Sequence, residues 1–272
     1  MKKILAVTVV FISVFFVSCL DTEEKITINK DNSGVYALTI DMGAMIEQLK
    51  TIKPEEAASL EGNKDSVILF KSFTDTATVL TKEEKELLEK GSLHIVAKME
   101  SNEMKMSMKV PFKNVQQLLY LKQHMFEMVD KLKAEKKLFG NGQPEGEDDS
   151  MADENMPDAG MGGGPEPGNL LHPAQEAFSF NIEKNTISNK LTNKDVFDNW
   201  VVKDSSMQMV MQMIPFMGDF NYTTTFILPS PVKKYSGGSE SKLSDDKKTI
   251  TFINSLSGLM EKPESFEYSF EY

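Results

Sequence analysis

The 272-residue chain has one cysteine, one tryptophan and three histidines. A lone cysteine excludes a disulfide within the chain, the usual staple of an exported domain. His94, His124 and His172 stand at no spacing that metal ligation uses, and neither H-E-x-x-H nor G-x-S-x-G occurs. With no catalytic or metal constellation in the sequence, no enzyme activity and no cofactor are expected. Basic residues are in deficit, 30 Lys and Arg against 41 Asp and Glu. That balance repels nucleic acid and anionic lipid head groups. Long hydrophobic runs are missing too. The longest, Ile4 to Val17, is interrupted by Thr8 and Ser13 and falls short of the roughly 20 residues of a spanning helix.

That run has the length of a signal-peptide core, and it follows the positive start Met1-Lys2-Lys3. It ends in Phe16-Val17-Ser18-Cys19, which looks like the lipobox of bacterial lipoproteins. The resemblance implies a signal peptide over 1–18, cleavage before Cys19, a diacylglyceryl group on its thiol and a further acyl chain on its new amino terminus. Several chains hold a protein stably, because each buried CH₂ contributes about 0.8 kcal/mol. Residues 19–24 then read as a lipidated tether. The run Leu20-Asp21-Thr22-Glu23-Glu24 resembles the surface-export signal of Bacteroidetes-type lipoproteins, and reads equally as a solvated linker. The expected location is the cell envelope, lipid-anchored at the outer membrane, with its periplasmic or surface face left open. Loss of Lys2 and Lys3 with the signal peptide leaves 28 basic against 41 acidic residues, a net charge of −13. Membrane contact must then come from the acyl chains.

The rest divides into 25–139 and 177–272, either side of 140–176. That middle stretch is rich in Gly, Pro, Asp and Glu and has no Lys or Arg. It cannot bury enough apolar surface to offset its ordering entropy, so it is expected to be a disordered acidic insertion. Before it, Lys25–Asp41 predicts a hairpin around Lys30-Asp31-Asn32-Ser33-Gly34. Met42, Met45, Ile46 and Leu49 predict a helix, and Val67–Phe73 a short strand. Thr81 and Glu84 form a T-x-x-E capping box. Leu93–Met99 and Met104–Val110 predict a second hairpin. Leu118, Leu121, Met125, Met128 and Leu132 line one face of a long helix starting near Asn114.

After the insertion, Phe178–Ile182 and Thr186–Leu191 predict a hairpin. Thr192 and Asp195 suggest a cap, with Val196, Phe197 and Trp200 on the buried side. Met207–Ile214 predicts a helix. Phe220–Leu228, Thr249–Ile253 and the aromatic Phe266–Tyr272 predict strands. The expected fold is α+β: a mostly antiparallel sheet with helices packed on one face and the acidic insertion as a loop. Two small domains joined by the insertion are the alternative.

Two segments resemble known families. Ile26-Thr27-Ile28-Asn29-Lys30-Asp31-Asn32-Ser33-Gly34 resembles the start of uncharacterised Bacteroidetes lipoproteins. Thr224-Thr225-Phe226-Ile227-Leu228-Pro229, Val232 and Asp245-Asp246-Lys247-Lys248-Thr249-Ile250-Thr251-Phe252 resemble the LppM-type lipoprotein domain. The likeness implies a β-rich sheet-and-helix domain with an apolar face suited to lipid, and no catalytic residues.

Met104, Met106 and Met108 form M-x-M-x-M, and Met207, Met209, Met211 and Met213 repeat the spacing. Thioethers bind Cu(I). On a strand, however, alternate residues form one core stripe, and on a helix the second set would spread around the barrel. Three triplets, Asp65-Ser66-Val67, Asp75-Thr76-Ala77 and Asp149-Ser150-Met151, resemble the O-glycosylation sites of Bacteroidetes exported proteins, with Ser66, Thr76 and Ser150 as candidate acceptors. Two functions compete, with an enzyme whose site is assembled from distant segments as a third reading. One is a non-catalytic envelope module that binds a lipid or other apolar ligand between sheet and helices. The other is a structural or assembly lipoprotein, with another envelope protein docked on the long helix or on Phe266–Tyr272.

Overall fold

Alternate burial builds the first hairpin. In the computed structural model, which describes residues 20–52, 63–134 and 176–272, β1 (Leu20–Ile28) and β2 (Gly34–Asp41) pair antiparallel. Thr22, Glu24, Ile26 and Ile28 point inward from β1, and Tyr36, Leu38 and Ile40 from β2. Asp31 accepts from the Ser33 amide at 3.0 Å and Asn32 takes a left-handed φ of 64°, which tightens the turn. At Gly34 a Cβ would lie 1.8 Å from the Thr27 carbonyl oxygen, so only glycine lets the strands approach this closely.

The sequence composition of 19–24 predicts a solvated tether, and here the structure differs. β1 starts at Leu20, and Thr22 and Glu24 are buried. The reason is phase: they continue the two-residue repeat of Ile26 and Ile28, on a strand paired on both sides.

The chain continues through α1 (Gly43–Ile52), β3 (Asn63–Leu69), α2 (Lys71–Thr74), α3 (Lys82–Leu88), β4 (Ser92–Lys98), β5 (Glu103–Phe112) and α4 (Val115–Ala134). The run expected as a strand over Val67–Phe73 turns at Phe70. The Phe70 amide donates to the Gly91 carbonyl at 3.0 Å, and its carbonyl receives the Phe73 and Thr74 amides. Burial of the Phe70 ring against Gly91 drives that turn. The Thr81–Glu84 capping box forms as expected. All five apolar residues of the α4 stripe are buried, each stabilising by about 1.5–3 kcal/mol. Met106 and Met108 sit in or against the main core and Met104 against a smaller cluster, as a core stripe on β5.

After the insertion come β6 (Phe178–Glu183), β7 (Thr186–Leu191), α5 (Lys194–Lys203), α6 (Ser205–Met217), β8 (Phe220–Ile227), β9 (Lys234–Gly237), β10 (Glu240–Leu243), β11 (Thr249–Ser255), α7 (Leu256–Glu261) and β12 (Tyr268–Glu271). The cap of α5 is Asn193, one residue beyond Thr192. The Thr192 and Asn193 amides both donate to the Ala177 carbonyl, and Asn193 Oδ1 accepts from the Val196 amide.

The fold is α+β. Eight strands form one sheet in the order β10-β11-β8-β1-β2-β5-β4-β3, antiparallel except for β1 beside β8. Both halves of the chain contribute to it. β6, β7, β12 and β9 form a second antiparallel sheet that the sequence does not predict as separate. The aromatic face of β12 is buried: Phe270 meets Phe226 edge to face at 4.8 Å and Tyr268 stacks with Phe252 at 4.6 Å. That strand's aromatic face and the apolar stripe of α4 therefore pack into the core. On the outer face of the large sheet Thr39 bonds to Ser107 and Thr225 to Thr251.

Candidate functional site

One carboxylate lies at the centre of the large sheet. Glu24 is fully buried, and Lys122 Nζ of α4 lies 2.7 Å from each of its oxygens. The lysine side chain is 12% exposed, and its ammonium sits 5.1 Å from the centroid of the Phe180 ring, a cation–π contact. In register, Glu24 faces Leu38 on one side and Thr224 on the other. Tyr36 and Tyr222 stand two residues from those partners, on the diagonals that long side chains span. Both phenols lie close enough to the Glu24 carboxylate to feel its charge. Burial, and then the negative charge of Glu24, pushes both phenols well above the ordinary tyrosine range, so they stay neutral. Tyr268 is raised for the same two reasons.

Beside this pair lies a cavity of about 110 Å³. Thr22, Tyr222 and Asn254 close it from the large sheet, and Phe178, Phe180 and Tyr268 from the small one. Phe126, Trp200 and Leu259 close it from the helices, and Lys122 reaches its wall. Two of the lining residues carry unmet hydrogen-bonding groups. Trp200 Nε1 and Tyr268 Oη are buried with no partner among the described residues. A buried donor without an acceptor costs about 1–3 kcal/mol, so two in one wall are a feature that calls for a ligand atom or water. The neighbouring amides are occupied: Asn254 Oδ1 accepts from the Ser239 amide, and Asn189 Nδ2 donates to the Phe266 carbonyl. The volume is near the roughly 150 Å³ that takes a benzene-sized molecule. It is below the several hundred Å³ of most small-molecule pockets.

The residues singled out in the sequence lie elsewhere. Cys19 and Ser150 are outside the described residues, as are residues 1–18, His172 and the acidic insertion up to residue 175. Ser66 is half-buried on β3, beside Asp65, which bonds His94 at 2.8 Å. Thr76 is exposed in the loop after α2. His124 pairs with Glu127 at 3.0 Å on α4. No three His, Cys, Asp or Glu side chains converge on a metal site among the described residues. No helix among them is long and apolar enough to cross a membrane. Glu24 and Lys122 were not singled out in the sequence. Their signal was phase: Glu24 with Ile26 and Ile28, and Lys122 between Leu118 and Met125 on the apolar stripe.

No family model and no curated protein matches the chain. Among solved structures, the NMR structure of the folded domain of the Mycobacterium tuberculosis LppM protein is similar. It is 7% identical, with 94% of this chain and 91% of that one covered, at a TM-score of 0.35. This is a weak resemblance, and it assigns neither a family nor an activity. No match ties the chain to the Bacteroidetes lipoproteins that its opening segment resembles.

Proposed function

We propose that this chain is an envelope lipoprotein, anchored through acylated Cys19 at the outer membrane, whose folded domain is a non-catalytic module holding a small apolar ligand. The observation that carries the reading is the aromatic cavity with two unmet donors, Trp200 Nε1 and Tyr268 Oη, in its wall. The ligand is a ring or a short stretch of hydrocarbon with one acceptor atom, for the cavity is too small for a whole lipid. Lys122 and Glu24 belong to the frame: each answers the other, and neither is free for proton transfer to a substrate.

Trp200 is the only tryptophan, so its emission reports on the cavity alone. Residues 20–272 are titrated with short-chain fatty esters and with phenol, in parallel with native mass spectrometry and organic extraction of the purified protein. A saturable change in emission, lost in Leu259→Trp/Trp200→Phe where the new ring fills the space, supports the reading. A flat titration together with an empty extract sinks it.

A second reading, assembly with another envelope protein, is favoured by β3. It is the last strand of the large sheet, and its Val67 and Leu69 are 62% and 61% exposed. Such an edge is a template for strand addition. Crosslinking from Val67 in the native envelope tests it, and recovery of uncrosslinked monomer alone counts against it.

A further inference from the structure

Strand directions separate the large sheet into two rims. β1 begins at Leu20, with no residue between it and Cys19. Leu20 pairs with Phe220, where β8 begins, and Asp21 with Asp41, where β2 ends. Lys98, at the end of β4, pairs with Glu103, and Ser255, at the end of β11, with Asn221. These ends, the turn at 99–102 and the start of α1 make one rim. The opposite rim carries the Asn29–Ser33 turn and the start of α4. The cavity belongs to the first rim, because Thr22, Tyr222 and Asn254 are in register with one another, two residues from Leu20.

We propose that the first rim rests directly on the lipid bilayer, so that the domain is held at a fixed orientation with its cavity end toward the membrane. The inference rests on the lipoprotein reading above. A flexible linker gives reach that grows with its length. Here the linker has no length: Leu20, the residue after the anchor, already pairs with Phe220, and Asp21 is paired on both sides. The rim carries charges of both signs: Lys105 pairs with Asp41 at 3.1 Å and Lys98 with Glu103 at 3.3 Å, while Lys50 donates to Asn102 Oδ1 at 2.6 Å and Asp21 accepts from Asn221 at 3.1 Å. Such a rim suits zwitterionic head groups and needs no anionic lipid. Its partner is the bilayer, and a ligand of the cavity would arrive from that side.

The test uses the full acylated chain in phosphatidylcholine vesicles with acceptor-labelled head groups. A donor fluorophore is placed at Glu100→Cys on the first rim, or at Lys30→Cys on the opposite one; acylation blocks Cys19, so labelling is specific. Strong energy transfer is expected from position 100 and weak transfer from position 30, which lies roughly 25 Å further out, the length of β1 at about 3.3 Å per residue. A flexible Gly/Ser linker inserted between Cys19 and Leu20 is expected to remove most of the difference. Equal transfer from both positions, in a chain that floats with the vesicles, overturns the fixed orientation alone. A chain that does not float overturns the lipoprotein reading and this inference with it.

Discussion

Replacing Lys122 by methionine leaves the Glu24 carboxylate buried with two phenols and no counter-charge. Breaking a buried pair from one side costs about 3–5 kcal/mol. Urea denaturation of Lys122→Met is therefore expected to show a loss of that order. Glu24→Gln/Lys122→Met should recover much of it, since no charge is then left unmatched; a double variant as unstable as the single one would show that geometry matters more than charge. The tyrosines give a second residue-scale expectation. Tyr36, Tyr222 and Tyr268 hold their protons well above the ordinary value of 10.0 because burial and Glu24 disfavour the anion. A raised folded value means that their contribution to stability is full below pH 10 and is lost as pH rises beyond it, where the unfolded chain ionises first. Absorbance at 295 nm should show these three ionising only as circular dichroism reports unfolding. A single early titration of all six tyrosines would contradict this burial.

At the scale of the element, α3 and α4 are joined by one carboxylate. Glu84 Oε2 accepts from the Thr81 amide at 2.7 Å, and Oε1 from Tyr120 and Lys131 at 3.0 Å. Burial pushes the Glu84 carboxyl up, but the Thr81 amide, Lys131 and Tyr120 outweigh it, and the group ionises below its usual 4.5. Its contribution is therefore present above pH 4.5 and is lost as pH falls through the lowered value. Glu84→Gln is expected to cost about 1–2 kcal/mol at neutral pH and to flatten the acid limb of a stability–pH curve. An unchanged limb would assign acid unfolding to other groups. Thr81→Ala should cost about 1 kcal/mol as a lost cap. This box was legible in the sequence because both partners lie within four residues, and the α4 stripe because its period is local. The Glu24–Lys122 pair was not, since its partners are 98 residues apart and an acidic run by itself signals solvent. The four-residue strands β9 and β10 were missed because Lys234–Gly237 and Glu240–Leu243 have no apolar alternation. Asn193 was missed because Thr192 offered the same capping chemistry one residue earlier.

For the whole molecule, Cys19→Ala is expected to release the protein from vesicles entirely. Lowering the salt should not restore binding, because the processed chain carries a net charge of −13. Flotation on phosphatidylcholine checks this, and residual binding that grows at low salt would reveal a basic surface contact instead. One further property of the whole follows from the parallel ladder between β1 and β8. Its partners, Leu20 to Thr27 and Phe220 to Ile227, are two hundred positions apart in the chain. A chain emerging amino end first has its opening strand long before the strand that completes it, and contacts so remote form slowly. The central sheet cannot close until nearly the whole polypeptide has been delivered. On the proposed lipoprotein reading, a secretion path that carries the chain unfolded would meet a central sheet that is still open.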